Sequence, residues 1–109
     1  ALGYTLADRT DRLAEGVALL DKALTLSPED PFILDSVGWA HYRSGNLAKA
    51  QEFLERAYKV RQDPEIAAHL GEVLWARGMR DEAGLLWQSS LESNPRNEVL
   101  LETLRRLKP

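Results

Sequence analysis

His41 and His69 are the only imidazoles in this 109-residue chain, and it has no cysteine. An imidazole pair is the beginning of a zinc site or of general-base catalysis, and either needs companions at fixed spacing. No spaced set of carboxylates joins these two. Without cysteine there is no thiolate ligand, no thiol nucleophile and no disulfide. Ser44 and the Ser89-Ser90 pair have no base at a fixed offset, and nothing resembles a phosphate-binding loop. His41 falls on an apolar helical stripe, and His69 stands beside a more polar face of the following unit. The acid pairs Glu29-Asp30 and Asp81-Glu82 stand where helices begin, at the positive end of the helix dipole. Met79 is a turn residue. These residues predict no enzyme, no metal and no cofactor.

The side chains suited to binding are aromatic. Phe32, Asp35, Trp39 and Tyr42 recur at 3-4-3 spacing, which places them on one helix face. Glu65, Ala68, Glu72 and Trp75 repeat that spacing further on. Tyr4 and Asp8 extend the face upstream; Glu102 and Arg106 extend it downstream and form an i,i+4 pair. Trp and Tyr are enriched where binding energy concentrates, and flanking acids suit an apolar or basic partner segment. Trp39 and Trp75 also fit a plainer role, filling space between neighbouring helices. Trp87 lies on a core stripe.

Helices must position these residues. Leucine, alanine, glutamate and arginine dominate, while β-branched residues are sparse. Between Pro31 and Ala57 the chain reads as two helices folded back on each other. Leu34, Val37, Gly38 and His41 form one stripe, Ser44-Gly45-Asn46 breaks it, and Asn46 caps a helix whose stripe is Ala50, Leu54 and Ala57. Gly38 and Ala50 leave room for near backbone-to-backbone contact. Asp30-Pro31 and Asp63-Pro64 are cap-plus-proline starts. Helices are expected over 31–44, 47–61, 64–77 and 80–93, before them a helix to about Leu26, and after them one from Asn97 to about Leu107. Residues 1–7 read as the tail of a further helix.

Shifted by 33, the chain overlays itself: Pro31 meets Pro64, Gly38 meets Gly71, Gly45 meets Gly78, Ala50 meets Ala83 and Leu54 meets Trp87. A shift of 34 carries Ala50, Leu54 and Ala57 back to Gly16, Leu20 and Ala23. A helix-turn-helix at this period is the signature of a solenoid. The expected close contacts are Gly3/Gly16, Gly38/Ala50 and Gly71/Ala83. The net charge is -3 with no basic block, which argues against nucleic acid. No apolar run approaches the roughly 20 residues that span a bilayer, and no signal peptide is visible.

The pattern Leu34, Val37-Gly38, His41, Ala50, Leu54, recurring as Ala67, Leu70-Gly71, Leu74, Ala83, Trp87 and Pro95, resembles the tetratricopeptide repeat. His41 and Leu74 depart from its aromatic position, and Ser90 from its alanine. The resemblance implies an all-α solenoid of antiparallel helix pairs, about seven helical segments in a right-handed superhelix. Its units are a partial repeat over 1–30, repeats over 31–63 and 64–97, and a capping helix over 98–109, all one domain from a longer protein. It implies a concave groove lined by Tyr4, Phe32, Asp35, Trp39, Tyr42, Glu72, Trp75, Glu102 and Arg106, and a protein or peptide partner. A family clamp for C-terminal carboxylates uses Lys and Asn on this face; Asp35, Trp39, Glu72 and Glu102 stand here instead. Residues 2–9, 34–39 and 68–75 are similar to the C-terminal repeats of large secreted, lipid-anchored bacterial proteins. Some of those bring substrates to a periplasmic C-terminal-processing protease. That resemblance implies a scaffold or adaptor in a periplasmic, outer-membrane-anchored parent, with a cytoplasmic setting the other reading. The alternative function is a structural module that self-associates or docks on the parent's other repeats.

Overall fold

Four helix starts are written in local chemistry. A computed structural model describes residues 15–16 and 18–107, all helix or short connection. Helix α1 is helical at 15–16 and 18–26. Then come α2 (Pro31–Arg43), α3 (Leu47–Val60), α4 (Pro64–Ala76), α5 (Arg80–Ser93) and α6 (Glu98–Leu107). Asp30 accepts from the backbone N–H groups of Phe32 and Ile33 and Asp63 from that of Glu65, each just ahead of the proline that opens its helix. Asn46 caps α3 through the Lys49 N–H, and Asn97 accepts from the Leu100 N–H. Helix α5 begins at Met79 without a side-chain cap; Asp81 and Glu82 occupy its first turn.

Both intra-repeat turns have the same construction. Gly45 and Gly78 adopt φ of 89° and 83°, the left-handed region where glycine carries no Cβ penalty. In the first, the Asn46 and Gly45 N–H groups donate to the His41 and Tyr42 carbonyls; in the second, Met79 and Gly78 donate to Leu74 and Trp75. This crossed pair satisfies carbonyls that the helix end leaves free.

The helices pair in sequence, α2 on α3 and α4 on α5, with α4 also against α3, α2 and α6. The first helices α2, α4 and α6 therefore lie side by side. One core gathers Ala50, Leu54, Leu70, Val73, Ala83, Trp87 and Leu100. A smaller one joins Leu34, Ala57 and Ile66, with Leu24 of α1 against it. The expected stripes are inside: Leu34, Val37, Ala50, Leu54, Ala57, Ala67, Ala83 and Trp87 are all at most 1% exposed.

The close contacts centre on the glycines. A Cβ on Gly38 would meet Leu54 Cγ at 2.7 Å and the Ala50 carbonyl at 3.1 Å, close to the expected pairing. At Gly71 the nearest atoms belong to the Trp87 indole. Trp87 replaces Leu54 at the equivalent position, and its wider ring covers the glycine. Gly3, and with it the Gly3/Gly16 pair and the helical tail expected over residues 1–7, lies outside the described residues. Among the described residues no helix is long and apolar enough to cross a membrane.

Candidate functional site

The first-helix face brings five expected residues together with one unexpected partner. Trp39 of α2 lies between Tyr42, with ring centroids 4.8 Å apart, and His69 of α4, stacked at 4.2 Å and 24°. His69 Nδ1 is 2.8 Å from the Asp35 carboxylate, which fixes the imidazole against the indole. His69, read from sequence as a bystander, is thus part of the groove wall. The signal that points to it is the period: Asp35 and His69 are 34 residues apart, so one repeat sets them side by side on neighbouring first helices.

The second cluster crosses three helices. Tyr42 donates its hydroxyl to Glu72 at 2.9 Å, and Arg106 of α6 grips the same carboxylate with both terminal nitrogens. Glu72 is 6% exposed. A buried carboxylate is tolerated only when paired and hydrogen-bonded, and here it is both. Glu72 therefore works as a strut between helices rather than as an open acid. Burial, with the hydrogen bond to Glu72, pushes the Tyr42 phenol up, and the hydrogen bond to Glu72 pushes the Arg106 guanidinium up. The expected Glu102/Arg106 pair is replaced: Arg106 turns to Glu72, whose buried carboxylate attracts more strongly than a solvated one. Glu102 pairs with Arg105 at 3.2 Å, both side chains more than 60% exposed.

Between α4 and α6 a groove of about 410 Å3 opens on this face. Trp39, His69 and Glu72 form one side, Glu98, Glu102 and Arg105 the other. Phe32 and Trp75 lie elsewhere. Phe32 is half exposed at the start of α2 beneath Arg61, 5.5 Å from the ring centroid. Trp75 leans on Trp87 at 5.7 Å and carries Arg80 over its ring at 4.4 Å, so it faces α5. Tyr4 lies outside the described residues. His41 stacks on Phe53 of α3, with ring centroids 5.6 Å apart. No group of three or more His, Asp or Glu among the described residues is placed to hold a metal ion.

Stacked antiparallel helix pairs with a groove on the first-helix face define a helical-repeat protein of the α-solenoid class. Residues 34–64 match the family model for the tetratricopeptide repeat. Over 72 residues, 66% of its length, the chain is 57% identical to a tetratricopeptide repeat-containing protein of Pseudomonas aeruginosa, and it spans 12% of that relative. The fold is similar to a thermophilic tetratricopeptide repeat protein of Thermus thermophilus: TM-score 0.80, 23% identity, 92% of this chain and 52% of that one. It is also similar to the first such domain of Spaghetti, solved with an HSP90 peptide: TM-score 0.78, 18% identity, 95% and 83% covered. A third similar structure is the Sgt2 domain of Aspergillus fumigatus: TM-score 0.78, 20% identity, 95% and 71% covered. Residues 34–64 thus match the tetratricopeptide repeat, and the described chain has the all-α solenoid fold of such repeats.

Proposed function

We propose that this chain is a protein-interaction module, a scaffold or adaptor that holds a segment of a partner protein in the groove between α4 and α6. The observation that carries the reading is the Trp39–His69 stack set into a groove of about 410 Å3. An aromatic held rigid at a groove wall offers apolar area at little entropic cost, with Glu98, Glu102 and Arg105 as a polar rim. The Spaghetti domain, of the same fold, was solved with a peptide, which supports a peptide ligand here.

The finer reading places the groove in a periplasmic adaptor, held at the outer membrane by its parent, that presents substrates to a C-terminal-processing protease. It is supported by the resemblance of residues 2–9, 34–39 and 68–75 to such proteins. The test is capture of that protease, or of its substrates, by the immobilised chain. Capture by the parent sequence that falls at least roughly tenfold with Trp39→Ala at an unchanged melting curve is expected. Capture that survives both Trp39→Ala and Arg105→Glu rules out this groove.

A second reading, docking onto the parent's other repeats, is favoured by α1, where Leu19 and Leu26 stand 69% and 80% exposed on one face. Binding of the parent's remaining repeats that is lost with Leu19→Glu but not with Trp39→Ala would select it.

A further inference from the structure

The outer side of α5 departs from that of its sister helix α3. At the 33-residue shift, α3 carries Ala48, Gln51, Glu52 and Glu55 where α5 carries Asp81, Gly84, Leu85 and Gln88. These positions form one helix face. On α3 that face is charged and partly covered: Arg77 donates to Gln51 at 2.9 Å. On α5 the face lines, together with Trp75 and Arg80, an open hollow of about 600 Å3. Leu85 stands 69% exposed where α3 has a glutamate. Apart from its own helix backbone, nothing lies within 4 Å of where a Gly84 Cβ would be. Glycine inside a helix is destabilising relative to alanine, and no packing within the chain accounts for this one.

We propose that this face is a homotypic interface, on which α5 of a second copy crosses antiparallel about a two-fold axis at Gly84 and Leu85. The face holds a knob, Leu85, beside a hole floored by Gly84 and Trp75. A two-fold operation turns such a patch into its own complement. It sets Leu85 of each copy into the hollow of the other. In the same register Asp81 of each copy falls opposite Gln88 of the other, a carboxylate acceptor facing an amide donor, and no like charges meet. Arg80 remains on the Trp75 ring. The same crossing on α3 sets Glu52 of each copy opposite Gln51 of the other, a carboxylate driven where α5 inserts Leu85, which explains why the two sister faces differ. The hollow shares no lining residue with the groove at Trp39, so association leaves both grooves open and makes the assembly bivalent for its partner.

Sedimentation equilibrium of the 109-residue chain over a dilution series is the direct test. A monomer–dimer equilibrium is expected. Leu85→Glu and Gly84→Gln, which copies α3, should each shift the midpoint to at least roughly tenfold higher concentration. At dilutions where the parent sequence is monomeric, their circular dichroism and melting should match or exceed it. Asp81→Lys should weaken the dimer, and adding Gln88→Glu should restore it, an outcome that a folding defect does not produce. A chain that is monomeric throughout the series overturns the proposal, as does a dimer indifferent to all three single substitutions. Loss of partner capture by Leu85→Glu at dilutions where the unsubstituted chain is itself monomeric and still captures also overturns it, since the face then serves a different protein.

Discussion

The Trp87 indole lies directly on the Gly71 backbone. A Cβ at position 71 would fall 2.7 Å from Trp87 Cδ1 and closer still to Nε1 and Cε2. The missing side chain also lets Nε1 approach the Ala68 carbonyl, one turn back on α4, at 3.5 Å. Trp87 is 1% exposed and has no room to retreat. Gly71→Leu is therefore expected to cost about 3 kcal/mol through overpacking. Ala76→Leu, on the exposed side of the same helix, should stay within about 0.5 kcal/mol. Urea unfolding of both variants, compared at equal m-value, checks the difference. Equal stability means that the α4–α5 contact is misplaced.

The buried Glu72 carboxylate ties Tyr42 of α2 to Arg106 of α6. Removing Arg106 leaves that charge with one neutral donor, although the guanidinium side is 48% exposed and water enters there. Arg106→Ala is accordingly expected to cost about 2 kcal/mol, less than a fully buried pair. A double-mutant cycle between Glu72→Ala and Arg106→Ala should show a coupling of about 1 kcal/mol or more. The cycle between Glu102→Ala and Arg106→Ala should show no more than about 0.3 kcal/mol, because Arg106 makes no direct contact with its i,i+4 neighbour and feels only its screened charge. Coupling in the second cycle and none in the first would reverse the assignment.

Alkaline titration reports on the same carboxylate. Burial and the Glu72 hydrogen bond raise the Tyr42 phenol above the ordinary tyrosine value, and burial alone raises Tyr58. The folded chain then holds the Tyr42 proton more tightly than the unfolded chain does. Its contribution to stability is present below the unfolded tyrosine pKa of about 10 and is lost as pH rises through the folded value. Absorbance at alkaline pH should show two late-ionising phenols, one of which disappears in Tyr42→Phe. Glu72→Gln should bring the Tyr42 transition down while leaving that of Tyr58 in place. A Tyr42 transition that stays put in Glu72→Gln removes the carboxylate as its cause.

The helices were legible because their ends are local. Asp30-Pro31, Asn46, Asp63-Pro64 and Asn97 each act within three residues, and Gly45 and Gly78 end their helices through their own φ. Expected and observed boundaries agree to a residue from α2 to α6. The groove was legible only as a face. The 33-residue repeat sets Glu72 at the position of Trp39 on the next first helix, but how deeply Glu72 is buried depends on how closely α6 approaches α4, which no spacing encodes. Arg106 had two acids in reach, one four residues away and one 34 away, and desolvation decided for the distant one. The 33-residue overlay equated Leu54 with Trp87, and the indole lies over Gly71 as Leu54 lies over Gly38, but the width of its ring made that contact much closer. It also paired Trp39 with Glu72 and Tyr42 with Trp75, without revealing that Trp75 leans toward Trp87 and away from Trp39.

That separation of the two tryptophans makes the sharpest functional prediction. Trp39 is half-buried against His69 and borders the groove, whereas Trp75 stands against Trp87 beneath Arg80. Trp75→Ala removes packing at the edge of the main core and should cost about 2 kcal/mol, with partner capture intact once temperature is lowered to keep the chain folded. Trp39→Ala loses one stacking contact, about 1 kcal/mol, but deletes the rigid wall of the groove and should abolish capture. Measuring melting and capture on both variants yields opposite rankings if Trp39 is the binding residue. Identical rankings would mean that both indoles only pack, and the groove would then need Arg105 and Glu98 as its anchors.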